Sequence, residues 1–222
     1  MKKFPILIIL AALAVLAAHY LVFVFVPMEA QMRAVQRIFY FHVPSAWLCF
    51  IGFLFCFGSS LAYLLSPKSK YDLFARASAE VGLMFGLIVL TTGPLWARGA
   101  WGVWWKWEPR LTSMALLILI FAAYWVLRVY GGQGEGIRKF SAFLAVLATP
   151  NIYFVRIAVK KWRGDHPNNV ISRSDPDIRM TMYICFFVLL LVFSLVLYLR
   201  YAMLKDQATV SALRRRFSKL GV

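Results

Sequence analysis

Apolar residues along this chain come in long unbroken blocks separated by short polar gaps. The blocks run over residues 6–26, 43–65, 78–97, 112–130, 137–155 and 180–204. Each is close to the roughly 20 residues a helix needs to cross the hydrocarbon core of a bilayer. None alternates apolar and polar positions with period two, which argues against a transmembrane barrel and for helices, the other form that satisfies its own backbone in lipid. The pattern predicts an all-α integral membrane protein with about six transmembrane helices. It also predicts a single polytopic membrane domain over residues 1–222, with outer loops at 27–42, 98–111 and 156–179.

The first block follows Met1-Lys2-Lys3 and resembles a secretory signal, but it continues past Ala17-Ala18 with length enough to span. It is read as an uncleaved first helix. The glycine-rich Gly131–Gly136 joins the fourth and fifth helices; with no strand before it, it is a turn and not a nucleotide fingerprint. Pro67–Arg76 reads as a plain connector.

Composition sharpens this picture. The chain is 62% hydrophobic and 15% charged, more apolar than a soluble domain of this size needs. Its net charge of +16 would suggest nucleic acid in a soluble protein. Here the basic residues lie mostly in gaps and tails, where positive charge orients a membrane chain. With both termini inside, fourteen Lys and Arg fall on the inner side and eleven on the outer. The terminal clusters, Lys2 and Lys3 at one end and Arg214, Arg215, Arg216 and Lys219 at the other, place both termini in the cytoplasm. Ser211–Leu220 reads as a cytoplasmic, lipid-facing tail, and the membrane rather than nucleic acid is the expected partner.

Cys49 and Cys56 stand seven apart on one helix, about 10 Å by helical rise, too far for a disulfide. Cys185 lies in the last block, and no C-x-x-C-H is present for covalent haem attachment. All three read as small packing residues.

The candidate chemistry gathers in the outer gaps. Five of the eight tryptophans fall between positions 96 and 107, in and beside the segment Trp101–Thr112 (WGVWWKWEPRLT). Such density suggests a planar, apolar ligand held at a membrane surface, with haem the leading candidate and an aromatic belt at the headgroups the alternative. On a helix, Trp101, Trp104 and Trp105 would share one face, with Trp107 off it.

His42 and His166 lie in the two other outer gaps. Imidazole is a common axial ligand of haem iron, and two from opposite sides would complete six-coordination. The alternative is an interfacial histidine satisfied by water or backbone. Gly164 and Pro167 put His166 in a turn. His19, inside the first block, is read as bonding a neighbouring helix. The first outer gap is read as a helix with Arg33 and Arg37 on one face and Met28, Met32 and Val35 on the other. Arg33, Arg37, Arg98, Arg110 and Arg156 are candidates for the haem propionates, since guanidinium forks match carboxylates. Lipid phosphates would suit them equally. Glu108 is expected to pair with Arg110 or to accept an indole N–H.

Together these residues resemble the haem-handling membrane proteins of cytochrome c biogenesis, the CcmC family. Arg37–Trp47 (RIFYFHVPSAW) is similar to the family's first histidine region, Trp101–Thr112 to its tryptophan-rich signature, and Val159–Pro167 (VKKWRGDHP) to its second histidine region. The resemblance covers nearly the whole chain. It implies that His42 and His166 are the axial ligands and that Trp101, Gly102, Trp104, Trp105, Trp107, Glu108, Pro109 and Arg110 form the haem platform. It implies haem b held transiently and without covalent attachment, on the periplasmic side of the bacterial cytoplasmic membrane. It further implies delivery to the haem chaperone CcmE, with the ABC transporter subunits CcmA and CcmB and the small membrane subunit CcmD as partners, and no bond chemistry of the protein's own. One departure is Glu108, where the family carries aspartate; the added methylene keeps the charge and moves it.

Two other functions fit less well. A b-type haem subunit in quinol-linked electron transfer would place histidine pairs inside helices, where only His19 stands. A haem lyase of the larger synthetase branch, whose motif Pro109 resembles, would need a chain longer than 222 residues.

Overall fold

The computed structural model describes residues 4–30, 32–132, 134–162, 166 and 174–219. Among these the backbone is helical, with one isolated bridge between Glu29 and Arg33 and no strand. Helix α1 (Phe4–Tyr20) continues through a wider π turn, Leu21–Phe25, and stops where Val26 turns extended ahead of Pro27. A short 3-10 turn, Ala34–Ile38, leads into α2 (Phe39–Leu65). Then come α3 (Ser69–Trp101), α4 (Pro109–Tyr130), α5 (Glu135–Ala148), α6 (Pro150–Trp162) and α7 (Pro176–Lys219). Among the described residues, six helical stretches are long and apolar enough to cross a membrane, with α5 and α6 counted as one. The protein is an all-α, multi-pass integral membrane protein.

Lipid offers no hydrophobic drive between helices, so close packing through small residues must hold them together. The central pair is α2 against α3. A Cβ on Gly52 would stand 2.7 Å from the Cα of Gly82, so the two backbones touch there. One turn away, Gly86 leaves room for the Cys49 sulfur, which would lie 3.2 Å from an added Cβ. All three cysteines are buried and free, as packing residues should be. The two helices run antiparallel about the short turn at 66–68. Phe53 stacks on Phe121 of α4 with centroids 3.6 Å apart, and Phe85 meets Phe193 of α7. Helix α1 packs outside this core, where Ala18 and Val22 join Tyr40, Ile178 and Met182. The rest of its surface, including Ile9, Leu13 and Leu16, is exposed for lipid.

Several boundaries differ from the sequence expectation, each for a physical reason. The third helix starts at Ser69, not near 78, so Pro67–Arg76 is mostly helix and no plain connector. Asp72 and Arg76 are paired inside the bundle: Asp72 accepts from Arg128 at 2.8 Å with Arg138 at 3.7 Å, and Glu80 bridges Arg76 at 3.0 Å and Arg200. The fifth apolar block is two helices, because Pro150 lacks the N–H that would continue α5. Helix α7 runs on to Lys219, so the basic tail prolongs the last membrane helix. The outer gap 27–42 is not the regular helix expected. Arg33 has φ 48°, which breaks any helical face shared with Arg37, and α2 begins three residues before His42.

Candidate functional site

The register set by the glycines carries through to the far end of the α2–α3 pair. From Gly52, ten residues back along α2 reach His42; from Gly82, ten residues on along α3 reach Thr92. There the His42 Nδ1 lies 2.9 Å from the Thr92 hydroxyl. Thr92 in turn donates to the Ile88 carbonyl at 2.6 Å. Gly93 lies beside the same ring, since an added Cβ would be 3.5 Å from His42 Cε1. His42 is thus in the first turns of a helix and half-buried, not in an outer loop.

One turn further along α3 stands Trp96. Its ring lies 6.4 Å from that of His166, tilted by 33°. His166 sits in a bend, as its flanking residues suggested, and is half-buried. Thr92 and Trp96 are four apart, so they share one helix face about 6 Å apart along the axis. Two histidines from well-separated parts of the chain therefore come against the same face of α3, one turn apart.

Helix α3 ends at Trp101, where Gly102 takes φ 75° and donates its N–H to the Arg98 carbonyl at 3.1 Å. Residues 103–108 then run without helix until Pro109 opens α4. The single helical face expected for Trp101, Trp104 and Trp105 does not form; left-handed Gly102 redirects the chain. The indoles make two edge-on pairs instead, Trp96 with Trp101 at 4.9 Å and Trp105 with Trp107 at 5.8 Å. Lys106 lies over Trp101, and Arg98 lies over Trp104 and donates to the Gly102 carbonyl. Trp104 is 57% and Trp107 83% exposed, which is costly in water and suits either a membrane surface or a planar ligand. The Trp105 indole N–H is buried and meets no acceptor among the described residues.

Glu108 is buried at the start of α4, and its backbone carbonyl accepts from Thr112 at 3.0 Å. Arg110 is half-buried and close enough to act electrostatically on both Glu108 and His42. The other proposed cations are placed differently. Arg37 lies over Phe23 at 5.3 Å, Arg33 is exposed, and Arg156 is exposed on α6. His19 donates to the Val15 carbonyl of its own helix at 2.8 Å and packs on Phe41, so it does not bond a neighbouring helix as expected. Gly164, Asp165 and Pro167 of the second histidine motif lie outside the described residues.

Thr92 and Trp96 are the site residues that sequence reasoning left unassigned. Trp96 had a signal, its membership of the tryptophan group. Thr92 had only its place before Gly93-Pro94 in an otherwise apolar helix. Among the described residues no group of His, Cys, Asp or Glu is arranged to hold a bare metal ion. An iron already held in a macrocycle asks less of the protein, one or two axial donors and a flat wall.

The arrangement can be set beside known proteins. A model of the family described as Heme exporter protein C, CcmC, matches residues 1–220. The chain belongs to the CcmC family. Among similar proteins, a putative cytochrome c biosynthesis ccmC-like mitochondrial protein of Marchantia polymorpha is 30% identical over 179 residues, covering 78% of this chain and 73% of that protein. The Heme exporter protein C of Rhodobacter capsulatus is 30% identical, covering 68% of this chain and 62% of its own length. That of Escherichia coli K12 is 28% identical, covering 71% and 64%. The chain thus spans less than two thirds of the length of these two bacterial CcmC proteins.

Proposed function

We propose that this CcmC-family protein holds haem b, as transient and non-covalent cargo, between His42 and His166 at the tryptophan-bearing end of the bundle. That end faces the periplasm in this reading, with both termini in the cytoplasm. From it the haem is delivered to the chaperone CcmE, alongside CcmA and CcmB, and CcmD. The protein is a delivery component with no bond chemistry of its own.

The observation that carries the reading is the approach of both histidines to one face of α3, one turn apart, beside exposed tryptophans. The residues fit the cargo in two further ways. The buried Trp105 N–H lacks an acceptor, which a propionate would supply. Arg110 puts a positive charge within electrostatic reach of His42, where a propionate of a haem ligated there would need one. Trp104 and Trp107 leave an apolar edge uncovered, and a delivery protein needs its cargo partly exposed to the acceptor.

Transfer tests the delivery half. Purified protein loaded with haem is mixed with a CcmE-type chaperone domain, and the haem spectrum is followed on each partner after separation. The account predicts movement to the chaperone from the wild type. Haem that stays on the membrane protein with every partner supplied would overturn delivery while leaving binding intact.

A further inference from the structure

The haem reading leaves one question to the neighbours of His42: which ring nitrogen is offered. We infer that Thr92 is a positioning residue for His42, its hydroxyl fixing the tautomer that presents Nε2 as the donor to iron. This inference rests on the proposed haem site.

Thr92 has one hydroxyl hydrogen. Its Oγ1 lies 2.6 Å from the Ile88 carbonyl oxygen. Two oxygens approach so closely only with a hydrogen between them, and a carbonyl has none to give. The threonine proton is therefore committed to Ile88. The same Oγ1 lies 2.9 Å from His42 Nδ1 and has only lone pairs left for it. A hydrogen bond there needs the proton on Nδ1. A neutral imidazole carries one N–H, so Nε2 keeps its lone pair. The opposite tautomer would set two acceptors against each other at 2.9 Å.

The same contacts fix the ring's direction. Thr92 holds it from one side, and Gly93 stands beside Cε1. The site is reached only because Gly52 and Gly82 let α2 and α3 touch and so set the register. Outer partners of this kind orient ligating histidines and raise their basicity, and losing one commonly weakens binding about 10- to 100-fold. The molecule also contains its own control. Thr91, next in the chain, donates to the Leu87 and Ile88 carbonyls but is exposed and away from His42.

The test uses full-length protein in detergent, with Thr92→Val, Thr92→Ser, Thr91→Val and His42→Ala. The chain has three histidines, so ¹⁵N-histidine solid-state spectra of the haem-free protein resolve the His42 nitrogens by comparison with His42→Ala. Wild type and Thr92→Ser should show the proton on Nδ1, and Thr92→Val should lose that preference. In haem titrations Thr92→Val should bind about 10- to 100-fold more weakly, with Thr92→Ser and Thr91→Val near wild type. Wild-type tautomer or wild-type haem affinity in Thr92→Val, with binding lost in His42→Ala, overturns the role of Thr92 alone. Wild-type binding in His42→Ala overturns the haem site, and the role of Thr92 toward it as well.

Discussion

At the end of the bundle where α2 turns into α3, polar groups are buried and held by charge; at the opposite end, aromatic groups are left in the open. Asp72 and Arg128 are each 4% exposed and joined at 2.8 Å, while Glu80 holds Arg76 and Arg200. At the tryptophan end, Trp107 is 83% exposed and the Trp105 N–H has no acceptor. Charges in a membrane core need partners, and at the first end Asp72 and Glu80 of α3 find them on α4, α5 and α7. That arrangement ties the helices together by charge. The second end exposes aromatic surface that costs free energy. Such a cost is sensible where something else is to bind. The lesson is that conspicuous charge marks the framework of this protein, and conspicuous aromatic surface marks its working end.

The contrast can be broken at either end, and the largest effect belongs to the first. Asp72→Ala removes the carboxylate that anchors Arg128, whose Nε and Nη1 are already buried without acceptors. An unpaired buried charge typically costs about 3–5 kcal/mol, so thermal unfolding in detergent should shift far downward and haem should be lost along with the fold. A variant as stable as wild type would mean that this ion pair is not structural. Next in size is Gly52→Ala, which places a methyl 2.7 Å from Gly82 Cα. Overpacking of this kind costs about 1–3 kcal/mol. It should also disturb the His42–Thr92 contact ten residues away, so unfolding and haem binding should weaken together; unchanged haem affinity would show the register to be less important than supposed.

At the tryptophan end the two properties should separate. Trp107→Ala removes a ring that touches little of the protein, so stability should stay within about 0.5 kcal/mol of wild type. Loss of an aromatic contact with the cargo should weaken haem binding roughly 2- to 10-fold. If stability falls and haem affinity holds, Trp107 belongs to the framework or to a membrane belt. The smallest effect is expected from Arg98→Ala. It removes the cation over Trp104 and the bond to the Gly102 carbonyl, an exposed arrangement of about 0.5–1 kcal/mol. A slight fall in melting temperature with little change in haem binding should result, and a large loss of haem would instead place Arg98 among the propionate partners.

Much of the fold was legible because the bilayer imposes a length on apolar blocks, and all six blocks became helices long enough to span. Their ends were not legible. Asp72 and Arg76 look like the marks of a connector, yet Asp72 meets Arg128 and Arg138, which are remote in sequence, and Arg76 meets Glu80, which also holds the distant Arg200. Pro150 did signal the break between α5 and α6, but unbroken hydropathy outweighed it. At the site, residue types spoke clearly: His42, His166 and the tryptophans stood out from their neighbours. Arrangement did not. Left-handed Gly102 undoes the helical spacing of Trp101, Trp104 and Trp105. Thr92 becomes visible only when the Gly52–Gly82 contact has set the register of two helices.

The central claim is a single haem held by two histidines that reach one face of α3. It is tested most directly by low-temperature electron paramagnetic resonance of the ferric, haem-loaded protein, beside His42→Ala and His166→Ala. The account predicts a low-spin signal in the wild type that is absent or high-spin in each single variant, while both variants unfold at temperatures near the wild type's. A low-spin signal that persists in either variant would contradict the bis-histidine site and return the tryptophans to the membrane interface.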